Sequence, residues 1–256
     1  MRYFIQLSYK GTRYHGWQRQ PNSSSVQQTL EEALSKVLRS GITVTGAGRT
    51  DTGVHARCMY AHFDVEKLKL PPERLSHALN TMCGRDIAVQ RVFAVPDDLH
   101  ARFSATSRTY RYFVHFSKDP FLDDLSWQAP FALDVNAMNE AAGTLLSVSD
   151  FTSFAKLHAD TKTNICNVTK ALWNSALTPM GNPALVFEIT ADRFLRNMVR
   201  AVVGTLVEVG RGKLSLEDFG KIVEAKNRCA AGNSMPAHAL YLWDILYNGL
   251  HPNTEP

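Results

Sequence analysis

The feature that most constrains this chain is the order in which its hydrophobic period changes. Tyr3, Ile5, Leu7 and Tyr9 alternate with Gln6, Ser8 and Lys10, the period of a half-buried strand. From Ser25 the period lengthens. Val26, Leu30, Ala33, Leu34, Val37 and Leu38 form the apolar stripe of a helix, with Ser25 as its cap, Gln28 three residues on and Gly41 as its stop. Residues 42–45 and 58–65 read as strands, Pro71 and Pro72 open a short helix through Leu75 and Leu79, and residues 87–95 read as a strand. The order is β-α-β-β-α-β, which specifies an antiparallel sheet with two helices on one face, the ferredoxin-like motif.

The second half repeats the order without repeating the sequence. Residues 110–116 alternate as a strand, and after an irregular segment with Pro120 and Pro130, Asp134 caps a helix carrying Val135, Met138, Ala142, Leu145 and Leu146. Strands at 168–176 and 184–189 flank a breaker cluster of Pro179, Gly181, Asn182 and Pro183. Helices at 196–209 and 216–225 and a closing strand at 241–247 complete the half. The expected fold class is α/β (α+β), with two ferredoxin-like halves built on antiparallel sheets, residues 1–103 and 104–256. On the helix at 196–209, Arg193, Asn197, Arg200 and Gly204 fall on one stripe and Val199, Val202, Val203 and Leu206 on another, so one face is expected to pack and the other to face a cleft.

With 45% hydrophobic residues in 256, the chain can build ordinary cores. A formal charge of +4 permits a polyanionic partner without demanding one. Cys58, Cys83, Cys166 and Cys229 lie far apart and form no C-x-x-C pair, which speaks against a zinc knuckle or a redox dithiol and for reduced intracellular thiols. Met1-Arg2-Tyr3-Phe4 begins a strand, not a signal peptide, and no apolar run approaches the roughly 20 residues of a membrane span. A cytoplasmic location is expected.

Chemistry concentrates in Gly46 to Ala56, GAGRTDTGVHA. Glycines at this density let backbone approach a ligand closely, and Arg49 and Asp51 stand two apart, so a loop-borne carboxylate is available as a nucleophile. A turn whose Asp bonds its own backbone is the commoner use of such a stretch. Asp51-Thr52-Gly53 also spells the triplet of aspartic proteases, but those need a second triplet or a symmetric partner chain, and no second D-T-G or D-S-G exists here. Elsewhere, Lys10, Arg13, Tyr14, His15, Trp17 and Arg19 form one cluster of cations and rings, and Arg102, Arg108, Tyr110, Arg111 and Tyr112 another. Phosphates attract the cations and unpaired bases stack on the rings.

Taken together, these motifs resemble the tRNA pseudouridine synthase A family. G-R-T-D-T-G-V-H-A is similar to its catalytic motif, usually G-R-T-D-A-G-V-H; Tyr9 to Gln20, His100 to Thr106 with Tyr110-Arg111-Tyr112, Asp150 to Phe154, Phe194 to Arg200 and Pro236 to Leu242 resemble its other motifs. Thr52 stands where Ala is usual and Ala239 where Gly is usual. The resemblance implies two domains with a central RNA-binding cleft, and isomerisation of uridine to pseudouridine in the anticodon arm of tRNA, with no cofactor and no metal. It implies Asp51 as the catalytic carboxylate, Arg49 beside it to fill the space of a flipped base or hold a phosphate, Tyr110 stacked on the uracil, Arg200 paired with Asp51, and Leu240 as a pocket wall. Lys10, Arg13, Arg19, Arg102, Arg108 and Asn197 are then expected to contact RNA. A homodimer is implied by the resemblance alone. A non-catalytic RNA-binding protein of the same fold is the alternative reading.

Overall fold

The computed structural model describes residues 1–156 and 162–250. In chain order the strands and α-helices are β1 (Arg2–Tyr9), α1 (Val26–Leu38), β2 (Thr45–Gly46), β3 (His55–Asp64), α2 (Pro72–Met82), β4 (Ile87–Val95), β5 (Ala105–His115), β6 (Trp127–Gln128), α3 (Val135–Thr144), β7 (Val168–Leu177), β8 (Pro183–Ala191), α4 (Met198–Gly210), α5 (Leu216–Glu224) and β9 (Leu240–Tyr247). The architecture is mixed α/β. Two compact units divide the chain: Met1–Thr106 together with the chain from Tyr241 on, and Ser107–Leu240.

In the first unit the strand order is β4-β1-β3-β9, with β1 antiparallel to both β3 and β4. Ile5, Leu7, Met59 and Ala61 alternate inward and are fully buried, as are Leu30 and Leu34 of α1 and Leu75 and Leu79 of α2. Ser25 caps α1 as its sequence position requires, accepting the Gln28 N–H at 3.2 Å. The helix then stops earlier than Gly41, because Arg39 itself takes the left-handed conformation (φ 51°) and its N–H closes on the Ser35 carbonyl. The strand expected at 42–45 shrinks to Thr45–Gly46. Its backbone donors are taken by α1 side chains instead: Ile42 N–H donates to Ser35 Oγ and Val44 N–H to Glu31 Oε1, each at 3.0 Å.

Two short pairings depart from the antiparallel pattern. β9, read from the sequence as closing the second half, runs parallel to β3 with His55 opposite Tyr241, and β6 runs parallel to β5. A register shift marks the start of β3. Leu7 lies opposite Met59 but Tyr9 opposite Ala56, so β3 carries one extra residue there. Such a bulge resets the alternation and re-aims the residues beyond it, here His55.

The second unit has β5, β8 and β7 as an antiparallel run, with Tyr110 opposite Ile189 and Tyr112 opposite Phe187. Asp134 caps α3 by accepting the Ala137 N–H at 3.0 Å, and Ser215 and Asp218 form a reciprocal capping box on α5. On α4 the stripe of Val199, Val202, Val203 and Leu206 is buried as expected, Arg193, Asn197 and Arg200 are half-buried, and Gly204 departs from its expected face. Arg193 precedes the helix, Asn197 is its N-cap, and Gly204 is sealed, because a Cβ there would lie 1.8 Å from the Asn233 carbonyl oxygen. With the valine and leucine stripe buried as well, α4 is enclosed over nearly its whole circumference. All four cysteines are free, and no helix among the described residues is long and apolar enough to cross a membrane.

Beneath the first unit's sheet, His62 Nδ1 accepts the Ala101 N–H at 3.2 Å and its ring meets that of His100 at 4.7 Å. Burial, and then the nearby Arg2 and His100, push its pKa down from 6.5 to about 4. The folded chain therefore leaves His62 neutral in a pH range where the unfolded chain protonates it. Stability should be complete above about pH 7 and fall through the window from 6.5 to 4, with His62 contributing at most about 3 kcal/mol of the loss. Urea midpoints at stepped pH should show this slope in the wild type, and a shallower one in His62→Gln.

Candidate active site

Asp51 sits half-buried in the loop between β2 and β3, with Arg49 exposed, Thr50 buried and His55 almost inaccessible. The loop does not stand alone. It is fastened to the segment Gly11–Trp17, which follows β1. Trp17 N–H donates to the Thr50 carbonyl and Gly53 N–H to the Tyr14 carbonyl, each at 3.3 Å, and Gly11 N–H donates to His55 Nδ1 at 2.9 Å. The Tyr9 and Thr50 hydroxyls meet at 2.8 Å. Val54 N–H donates to the Asp51 carbonyl at 3.1 Å, which closes the turn that carries the carboxylate.

Three glycines make this approach sterically possible. A Cβ on Gly11 would stand 2.0 Å from the Val54 carbonyl oxygen, one on Gly16 would stand 2.3 Å from the Thr50 carbonyl oxygen, and one on Gly46 would strike the Trp17 indole at 2.4 Å. Gly16 in addition has φ of 86°, which an L side chain adopts only under strain. The other edge of the segment is bound to the start of α1, where Val26 N–H donates to the Gly16 carbonyl and Gln27 N–H to the Trp17 carbonyl. Asp51 is thus referenced through backbone to a helix terminus and a sheet, and not merely to its neighbours in sequence.

In the second unit, the expected site residues gather around the N-terminal turn of α4. Tyr110 stands edge-on to Phe194, with ring centroids 5.0 Å apart. Arg200 is held by Met235 in a reciprocal pair: Arg200 Nε donates to the Met235 carbonyl at 2.6 Å, and Met235 N–H donates to the Arg200 carbonyl at 3.1 Å. The segment 232–236 that supplies this partner is tied down along its length, Gly232 N–H to Thr205 Oγ1 and Pro236 through its carbonyl to the Tyr112 hydroxyl. Burial drives the Tyr112 phenol well above its usual range, only partly opposed by the charge of Arg200. Asn197 holds φ of 66° and donates from Nδ2 to Ser234 Oγ at 2.5 Å. Leu240 is buried where β9 begins. Sequence reasoning did not foresee that segment 232–236 positions Arg200, nor the bond between Gly11 and His55; only the small residues at Gly11, Gly204 and Gly232 hint at such close approach.

The four arginines expected to meet RNA already have partners. Arg13 is ion-paired with Asp86, Arg19 Nη1 with Glu31 Oε2 at 3.2 Å, and Arg108 Nη1 donates to the Asp192 carbonyl at 2.8 Å. Arg102 lies over the Phe103 ring, which is itself 76% exposed. Lys10 is exposed, and its backbone N–H donates to the Asp86 carbonyl. Arg111 and Lys170 both reach Glu188; burial pushes that carboxyl up, but their hydrogen bonds outweigh it and hold it below the ordinary range. Among the described residues no three His, Cys, Asp or Glu side chains come together as a metal site.

Comparison with known proteins decides the family. A family described as tRNA pseudouridine synthase matches residues 6–104 and 141–248. The chain belongs to the tRNA pseudouridine synthase family. Proteins named tRNA pseudouridine synthase A are similar to it throughout: one from Porphyromonas gingivalis at 54% identity over 248 residues (96% of this chain and 97% of the relative), one from Bacteroides fragilis at 53% over 246 residues (96% of each), and one from Bacillus subtilis at 39% over 252 residues (97% and 100%). The matched residues include Arg49, Asp51, Arg200 and Leu240, while Tyr110 falls between the two matched stretches.

The clasp around the Asp51 loop makes a prediction that two glycines separate. Gly16→Ala should destabilise the first unit by about 2 kcal/mol, from the positive φ and the collision with Thr50. Gly48→Ala, where nothing lies within 4 Å of the new methyl, should stay within about 0.5 kcal/mol of wild type. Urea denaturation of both variants checks this.

Proposed function

We propose that this chain isomerises uridine to pseudouridine in the anticodon arm of tRNA, at positions 38–40, with Asp51 as the nucleophile. The class of reaction follows from the family: the chain is a tRNA pseudouridine synthase, a tRNA-uridine isomerase. The observation that carries the assignment of Asp51 is its loop, a half-buried carboxylate whose backbone is bonded to the Gly11–Trp17 segment on both sides. A nucleophile needs this fixity, because a reacting group a fraction of an ångström out of line loses much of its advantage. A structural turn does not.

The chemistry consumes nothing. The C1'–N1 bond breaks, the uracil turns, and the C1'–C5 bond forms; the proton on C5 leaves and N1 gains one. No electrons are exchanged with a cofactor. A uridine in a paired or stacked arm must be flipped out before a carboxylate can reach its sugar. In this reading Arg49 fills the vacated space or holds a phosphate, Tyr110 stacks on the uracil with its hydroxyl towards C5, Leu240 walls the pocket, and Arg200 pairs with Asp51 across a cleft between two ferredoxin-like halves. The element order of the first unit, and the tethering of Arg200 by Met235 within the second, support that reading. We further read the protein as cytoplasmic, on its scattered cysteines and the strand-like start of the sequence, and as a homodimer, on the family resemblance. The non-catalytic alternative is not favoured by the family match.

The test is Asp51→Asn in tritium release from C5-labelled uridine in a tRNA transcript. The change is isosteric, so tRNA affinity and the urea midpoint should stay near wild type while the single-turnover rate drops by at least about a thousandfold. Turnover within about tenfold of wild type would remove Asp51 from the chemistry.

A further inference from the structure

His55 has no place in the chemistry above, yet only 1% of it is accessible. Its Nδ1 accepts the Gly11 N–H at 2.9 Å, and its ring lies 4.6 Å from that of Tyr241 on the neighbouring strand β9. An acceptor at Nδ1 places the proton of the neutral imidazole on Nε2. The bulge in β3 is what turns His55 towards Gly11. Gly11 in turn has its Cα pressed against the Val54 carbonyl, so residues 54 and 55 hold it from two directions.

We propose that His55 is a positioning residue for the reaction of Asp51: through the hydrogen bond accepted at Nδ1 it sets the loop that carries the carboxylate. The proposal rests on Asp51 being the reacting group. Among the described residues, three hydrogen bonds tie the Gly11–Trp17 segment to the loop from Thr50 to His55, and two of them run backbone to backbone. His55 supplies the third, at the C-terminal root of the loop, four residues from Asp51. Its ring also contacts Tyr241, the residue opposite it in the pairing of β3 with β9, so the imidazole bonds the Gly11 turn to a loop root that the strand pairing already holds. Without the acceptor at Nδ1, the Gly11 turn is no longer bonded to the loop root, and the loop can tilt between its backbone bonds at Thr50 and Gly53 and the strand pairing that begins at His55. Such a tilt moves the carboxylate without unfolding the unit.

Three substitutions separate this from simple packing. His55→Asn brings an amide oxygen to the place of Nδ1 and keeps the acceptor. His55→Phe keeps a ring against Tyr241 and removes the acceptor. His55→Gln carries its amide to the place of Nε2. With saturating tRNA transcript, His55→Phe should slow single-turnover tritium release by about 10- to 100-fold while the tRNA Kd stays within about threefold, and His55→Asn should remain within about fivefold of the wild-type rate. A Phe variant at the wild-type rate overturns the proposal, as does an Asn variant as slow as the Phe variant, since then only ring packing matters. If His55→Phe does not fold, the comparison passes to His55→Gln, and a Gln variant as fast as the Asn variant overturns it. Asp51→Asn in the same assay keeps the two levels apart: activity there removes the reading beneath the proposal, whereas inactivity there with an unaffected Phe variant removes the proposal alone.

Discussion

Everything at the candidate site depends on how closely two backbones can approach. The loop that carries Asp51 and the segment from Gly11 to Trp17 are joined main chain to main chain, and at Gly11 and Gly16 the gap leaves no room for a methyl group. Hydrogen bonds of this kind are individually modest, about 1 kcal/mol net, but they are directional and they share one frame. Because the same segment is also bonded to the first turn of α1, the carboxylate inherits the rigidity of a capped helix and of the sheet through β1. A loop fastened at its ends alone would leave the middle free. This one is fastened in the middle.

The second unit solves a related problem with different means. Arg200 lies on a helix that is buried nearly all round, so its Cα is fixed by the packing of Val199, Val202, Val203 and Leu206. Its side chain is long and would wander. The reciprocal bonds with Met235 remove much of that freedom, and segment 232–236 that provides them is pinned by Thr205, Tyr112 and the Asn197–Ser234 pair. Burying these polar groups is tolerable only because each finds a partner.

Most of the secondary structure could be read from the sequence because the periods are clean. Ile87–Val95 and the cap at Ser25 stand where alternation and capping chemistry put them. The failures share one cause, the recruitment of a side chain or a distant backbone group. Ser35 and Glu31 take the donors of residues 42 and 44 and so shorten a strand, Arg39 replaces Gly41 as the helix stop, and β9 finds a parallel partner more than 180 positions away in the sequence, His55 against Tyr241. The Asp51 loop stood out as the candidate site from its glycines and its motif. The partners of Arg13, Arg19 and Arg200 were not, since an ion pair or a carbonyl acceptor leaves no period in a sequence.

The enclosure of α4 has a consequence for how this protein can change. A helix with most of its surface buried behaves as a post: most substitutions along it are felt by the core before they are felt by the arginine it carries. The chain that ties the arginine, from Gly232 to Pro236, places Met235 alone of its residues in the core and bonds the helix through Gly232 and Met235. Adjustment of the guanidinium therefore costs less from the more exposed residues of the tie, Asn233 and Ser234, than from the post. Over a long series of neutral substitutions, variation that shifts this arginine has its easiest entry in those few loop residues, while the helix stays still.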